Sequence, residues 1–302
     1  MSSRQVAAAH VDNAGARCWI CGATGLRRIK ASDLSGRTLS PEDFAITDRR
    51  YGLTAAIDQC PQCSFRQCTD TSDVLGYYAE LDDRVYDTGR DQRARQARGL
   101  LKVVRRHAQG GSLLDIGAGS GILVGEAAKF GFRAEGIEPS RHLVEQAAGL
   151  GLKVHHGALP DPDIAKRRFD AVTIVDVIEH VSDPVGLLKE ARSVLSPQGI
   201  GVVVTPDVSS WAARVMGRRW WHYRIAHIGY FNRKTLTTAL EKAGLRVVAS
   251  GRPRWYFSGD YLGERLASYL PIPFSKVSFS WAKPITIPLD LRDSIYLVFA
   301  RT

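Results

Sequence analysis

The run Leu113-Leu114-Asp115-Ile116-Gly117-Ala118-Gly119-Ser120-Gly121 constrains the fold more than any other stretch of this 302-residue chain. An apolar strand ending in a glycine-rich turn is how an α/β sheet receives a nucleotide-like cofactor, because glycine turns sharply and carries no Cβ to hold a ligand off the backbone. A second apolar run closes in Gly136-Ile137-Glu138-Pro139. The carboxylate at that strand tip is placed to accept both hydroxyls of a ribose. The third glycine comes one residue early for G-x-G-x-x-G, and Ile122 stands where it would be. That spacing disfavours NAD or FAD.

Around this loop the apolar pattern alternates. It predicts strands over 112–116, 133–137, 152–155, 169–175, 200–205, 245–249 and 294–300. Helices are expected over 122–130, 141–150, 184–195 and 232–243, the third capped by Asp183 and ended by 196–199, the last closed by Gly244. Such alternation argues an α/β fold, a parallel sheet covered by helices on both faces.

With these residues in view, the stretch from about 100 to 248 resembles the class I S-adenosylmethionine-dependent methyltransferases. The resemblance implies a seven-stranded Rossmann-like sheet whose last strand inserts antiparallel between the fifth and sixth, and S-adenosylmethionine as cofactor. Carried over by position, Asp115, Gly117, Gly119 and Gly121 face the methionine part, Glu138 holds the ribose, and Asp176 lies beside methionine and substrate. The loop Gly157-Ala158-Leu159-Pro160 takes the adenine.

Four of the five cysteines form two C-x-x-C pairs, Cys18 with Cys21 and Cys60 with Cys63. Two such turns supply four thiolates for tetrahedral Zn²⁺ and staple a segment poor in large apolar residues. Cys68 reads as a small buried residue. Short strands are expected at 43–48 and 50–53, making 18–70 a small N-terminal zinc ribbon after a flexible tail, 1–17. Residues 71–110 read as linker and lid helices, with Tyr77, Tyr78, Leu81, Val85 and Tyr86 on an aromatic face. The methyltransferase domain follows over 111–302, with inserts at 206–231 and 251–292. A zinc ribbon ahead of this domain resembles a bacterial group acting on sugars, lipids or secondary metabolites.

Two histidines stand out. Asp176-Val177-Ile178-Glu179-His180 resembles the acidic-x-x-Glu-His segment of ubiquinone-type O-methyltransferases, which implies for His180 a structural or cofactor-loop role, a role as base, or, with Asp176 and Glu179, a place in a second divalent-metal site. His227, in Ala226-His227-Ile228-Gly229-Tyr230-Phe231, is the stronger candidate for a catalytic base or substrate hydrogen bond.

The formal charge of +10 admits anionic partners without choosing among them. Arginines 90, 93, 95, 98, 105 and 106 read as the solvated face of a helix whose inner face is Leu100, Leu101, Val103 and Val104. Arg218, Arg219, Trp220 and Trp221 are adjacent, so they cannot all face inward. The inserts suggest a small-molecule, glycoside or glycolipid acceptor methylated at oxygen, with peripheral membrane contact. Methylation at carbon, a ribosomal RNA substrate and a non-enzymatic binding protein are the alternatives; no Asn/Asp-Pro-Pro-Tyr/Phe segment follows the fourth strand, so nucleic acid ranks low. Neither a secretory signal nor an apolar run long enough to span a bilayer is evident, which predicts a cytoplasmic location.

Overall fold

The computed structural model describes residues 15–34, 52–69, 89–269 and 279–302. The strand expected at 43–48, the first half of the one at 50–53 and the aromatic face of 77–86 lie outside them. Residues 52 and 53 are not in a strand.

The N-terminal strands are β1 (Arg27–Lys30), β2 (Ile57–Gln59) and β3 (Arg66–Gln67), which flank the cysteine turns. They pair antiparallel in the order β1-β2-β3-β9, where β9 (Gly229–Tyr230) comes from the insert at 206–231.

The main sheet is built from β4 (Ser112–Ile116), β5 (Arg133–Glu138), β6 (Val154–His156), β7 (Phe169–Val175), β8 (Leu195–Pro206), β10 (Leu245–Gly251) and β13 (Ser294–Arg301). Its order is β10-β13-β8-β7-β4-β5-β6, with β13 antiparallel to both neighbours, as expected from the resemblance. The order in which strands are added reverses between the parallel neighbours β4 and β7, the place where an open α/β sheet leaves a crevice beyond its strand ends.

Helices cover it because their apolar positions recur on one side. In α1 (Arg90–His107), Ala97, Leu100, Leu101 and Val104 are buried, the i, i+3, i+4, i+7 pattern of one face. The other helices are α2 (Ile122–Lys129), α3 (Arg141–Gly149), α4 (Pro184–Val194), α5 (Trp211–Met216), α6 (Arg233–Lys242) and α7 (Gly259–Tyr269). Asp183 accepts from the Gly186 amide at 2.8 Å to start α4, and Asn232 with Thr235 forms a capping box on α6. An antiparallel pair of β11 (Trp255–Ser258) and β12 (Thr286–Leu289) lies outside the main sheet.

Several expectations need correction. β6 covers only 154–156, and β8 starts at Leu195, directly after α4: Phe169 pairs with Leu195 and Ala171 with Ile200, so 196–199 bulge from the strand instead of forming a separate turn. The arginine face of α1 is not wholly solvated, since Arg98 pairs with Glu126 at 3.0 Å and Arg93 reaches the cavity described below. In the insert Trp220 is fully buried while Arg218 and Arg219 are exposed. Trp220, Tyr223, Ile225, Ile228 and Tyr230 form a second core with Ala55, Ile57 and Cys68 of the ribbon.

Candidate active site

β4 delivers the glycine loop to the sheet's carboxyl edge. Gly117, Gly119 and Gly121 all have positive φ, at 73°, 54° and 75°. At Gly117 a Cβ would lie 2.4 Å from Val177 Cγ2, so the loop packs against the segment after β7 only without a side chain. The amide of Gly119 donates to Glu138 Oε2 at 2.9 Å, and that of Ser140, which caps α3, donates to Oε1 at 2.9 Å. Glu138 is 1% exposed; burial raises its carboxyl's pKa while the two amides oppose the shift. Beside it, Asp115 accepts from Thr173 Oγ1 at 2.6 Å. Burial, aided by the Glu138 charge and opposed by that hydroxyl, pushes Asp115 up to about 7.

These groups open into a cavity of about 910 Å³, within the roughly 300–1,000 Å³ usual for small-molecule sites. Of the predicted cofactor residues, Asp115, Gly117, Glu138, Gly157, Ala158, Leu159 and Asp176 line it. Gly119 and Gly121 do not: Gly119 contributes its amide to Glu138, and Gly121 faces Leu152, Val154 and Ala147. Asp176, at φ 52°, lines the cavity, where the residue is open to solvent. The protein enclosing the cavity and the neighbouring Asp293, partly offset by Arg93, push its carboxyl up to about 7.

Three histidines, His180, His222 and His227, line the same cavity. A 3₁₀ turn, Ile178–His180, follows β7. A carbonyl can only accept, so the 2.8 Å bond to Ala226 O fixes the His180 proton on Nδ1 and leaves the lone pair on Nε2. Burial, reinforced by Arg224 and opposed by that bond, lowers His180 to about 4. His227 stands edge-on to His180, with ring centroids 4.8 Å apart, and is stacked 5.7 Å from His222 at 15° between planes. Burial first, then neighbouring His180 and Arg224, depress its pKa well below the ordinary value. Glu179 is 1% exposed; Oε2 accepts from Thr205 Oγ1 at 2.9 Å, and Oε1 has no hydrogen-bond partner among the described residues. Donor atoms of Glu179, His180 and His227 lie within 4.8 Å of one another, a set suited to a small divalent cation. Asp176, expected to be part of such a site, is not in this group, and His227 takes its place.

His222 and Asp293 were not singled out from the sequence. The Asp293 carboxylate, 3% exposed, accepts from His222 Nε2 at 3.2 Å and from Trp221 Nε1 at 2.8 Å. His222 lines the cavity. Seventy positions separate them, and only the docking of β13 beside β8 brings them together.

The cysteine turns repeat one geometry. Gly22 N bonds Cys18 O and Cys18 N bonds Ala23 O, each at 2.9 Å; Ser64 N bonds Cys60 O at 3.0 Å and Cys60 N bonds Phe65 O at 2.8 Å. Gly22 and Ser64 both have positive φ. Sγ atoms are 3.5 Å apart for Cys18 and Cys63 and 3.4 Å for Cys21 and Cys60, and all four lie within 4.8 Å. A tetrahedral Zn–S length of 2.3 Å corresponds to sulfur separations of about 3.8 Å, so the donor set fits Zn²⁺. Cys68, buried, lies outside this group.

A family model described as a methyltransferase domain matches residues 88–250. Among curated relatives, the ubiquinone biosynthesis O-methyltransferase of Cereibacter sphaeroides is 33% identical over 120 residues, 37% of this chain and 49% of that protein. The protein of the same name from Dinoroseobacter shibae is 31% identical over 149 residues, 45% of this chain and 60% of that one. The chain thus spans about half the length of the curated relatives it matches. A chain from the complex between a Haloferax volcanii methyltransferase activator and a methyltransferase shares the fold, with a TM-score of 0.51 at 17% identity over 72% of this chain and 94% of that chain. Together with a sheet that carries its antiparallel strand between β8 and β10, the family match establishes that this chain belongs to the methyltransferase-domain family.

Proposed function

We propose that the chain transfers the methyl group of S-adenosylmethionine to an oxygen of a small acceptor. The observation that carries this reading is that one cavity is lined both by the Glu138-clamped glycine loop and by three clustered histidines. Bound S-adenosylmethionine supplies an electrophilic methyl group on a sulfonium. Glu138 accepts the ribose hydroxyls with the lone pairs its two amide bonds leave over, Gly117 admits the methionine part, and Gly157, Ala158 and Leu159 border the purine. Asp115 and Asp176 add negative charge beside the cationic end.

Displacement at a methyl carbon needs alignment above all, and holding two reactants in line supplies about 7–11 kcal/mol. An oxygen acceptor also loses a proton. His222 is best placed to take it: Asp293 accepts its Nε2 proton, which orients the ring and leaves Nδ1 to act as base. His227 and His180 complete the wall against which the acceptor rests. Arg224, with Trp255 and Tyr296, also lines the cavity. Those side chains suit an acceptor with a ring and an anionic or sugar part, such as a glycoside or glycolipid.

In the same reading, 18–70 is a ribbon built on structural Zn²⁺ and 111–302 the catalytic domain. Cytoplasmic residence with contact at the membrane surface completes the proposal. Among the described residues no helix is long and apolar enough to cross a membrane. The experiment is incubation with tritium-methyl-labelled S-adenosylmethionine and a panel of catechols, hydroxybenzoates and glycosides, reading label in the acceptor. Label at an ether oxygen that His222→Ala abolishes supports the reading, and label at carbon or nitrogen overturns the oxygen assignment.

A further inference from the structure

Among the described residues none between 15 and 69 lines the cavity. The ribbon nevertheless grips its histidine wall from outside. Gln67, fully buried, accepts from the Trp19 amide at 2.9 Å and donates to Arg17 O at 3.0 Å, which fastens the first cysteine turn to β3. β3 in turn pairs with β9, Gln67 opposite Gly229 and Arg66 opposite Tyr230, and the Cys68 amide donates to Ile228 O at 2.8 Å. Arg66 Nη1 donates to Tyr223 OH at 3.0 Å. Phe65, next to the second cysteine turn, packs on Phe231 with centroids 4.8 Å apart.

The far side of that short strand is the active-site wall itself. Ile228 N donates to Glu179 O at 2.9 Å and the His180 ring to Ala226 O at 2.8 Å. At Gly229 a Cβ would meet Phe65 Cζ at 3.3 Å, Phe231 Cε2 at 3.4 Å and Glu179 Cα at 3.8 Å, so ribbon and site both close on this one glycine. Among the described residues the cofactor loop is held from within the catalytic domain, with Gly117 N bonded to Ile137 O and Gly119 N to Glu138.

We propose that the cysteine ribbon is a positioning element for the acceptor-side wall, with Gln67 as its coupling residue: the four-cysteine centre fixes β3, β3 fixes β9, and β9 sets His227 and His180. The inference rests on the reading that this wall receives the acceptor. It predicts that loosening the ribbon disorders 224–231 and leaves the cofactor half of the cavity in place.

The test is hydrogen exchange on the full zinc-loaded chain, followed by mass spectrometry, comparing the wild type with Gln67→Ala and with protein treated with a zinc chelator. Losing two buried hydrogen bonds accelerates exchange over 224–231 about tenfold or more, while 112–138 stays within about twofold. The ring signals of His180 and His227, read by nitrogen-15 NMR and assigned by substitution, broaden or move, whereas those of His155 and His156 stay. Tyr223→Phe removes only the Arg66 contact and keeps a readout if Gln67→Ala does not fold; it accelerates 224–231 about threefold. Unchanged exchange over 224–231, or equal acceleration of both segments, overturns the proposal. Calorimetry with S-adenosylhomocysteine separates the two readings. A wild type that binds none while 224–231 still responds sinks the methyltransferase reading alone, and normal binding with no local response sinks the positioning role alone.

Discussion

The Gly119 amide lies 2.9 Å from Glu138 Oε2, so the tip of β5 holds the glycine loop in shape before any ligand arrives. The other oxygen, Oε1, holds the Ser140 amide at the start of α3. One carboxylate therefore ties together the two backbone segments that a ribose would meet. Each oxygen still has a lone pair to offer, and a preorganised acceptor gives up less entropy on binding than one that must first be ordered.

Asp293 and His222 form the one carboxylate–imidazole hydrogen bond recorded on the acceptor side among the described residues. Asp293→Asn leaves the packing but removes the charge that orients the ring. The expected result is a kcat lower by about 10²-fold, within the range for a displaced general base, and little change in KM. Steady-state kinetics on the acceptor found by label transfer checks this, and Trp221→Phe, which removes a different bond to Asp293, costs far less.

Asp115 makes the ligand-free protein sensitive to pH. Its pKa in the folded state, about 7, lies above the unfolded value of 3.8. The folded state therefore binds the extra proton between those values, and stability falls as pH rises from about 4 through about 7. Asp115→Asn keeps an oxygen for the Thr173 hydroxyl and removes the charge. Denaturant titration is expected to show this variant about 2–4 kcal/mol more stable than wild type at pH 8 and nearly equal at pH 4. The same variant binds the sulfonium cofactor less well.

Cys21→Ser removes one corner of the four-sulfur set. Elemental analysis is expected to find about one zinc per wild-type chain and little in the variant, with stability lower by about 3 kcal/mol or more. A wild type that folds fully without metal, at the same melting temperature, contradicts the assignment.

The insert that buries Trp220 leaves Trp211 77% and Val215 63% exposed beside Arg214 and Arg218. Tryptophan with arginine on one short helix suits an anionic lipid surface. Co-sedimentation with vesicles rich in phosphatidylglycerol is expected, reduced about fivefold or more by Trp211→Ala with Arg214→Ala. Equal recovery with purely zwitterionic vesicles contradicts it.

The parts of this molecule that repeat a local rule were readable from the chain. β4 with its glycines, Glu138 at the end of β5 and the paired cysteines each announce themselves within a few residues, because turn chemistry and metal chelation act at short range. Long-range placement was not readable. Nothing local tells that Gly229-Tyr230 adds a strand to the ribbon, or that Asp293 finds His222 across the sheet. The minor alternative of a ligand group of Asp176, Glu179 and His180 differs from the cluster the fold brings together: Asp176 lines the cavity at positive φ, and His227 joins Glu179 and His180 from a distant loop. The segment at 196–199 looked like a turn because proline and glycine mark turns, yet the flanking residues continue one strand around a bulge.

The central claim is the cofactor site, and the most direct measurement is calorimetric titration of zinc-loaded protein with S-adenosylmethionine and S-adenosylhomocysteine, repeated on Glu138→Ala. The account predicts micromolar binding by the wild type, weakened about 30-fold or more in the variant by loss of charged hydrogen bonds. A folded wild type that binds neither compound, or a variant that binds as tightly as wild type, contradicts it.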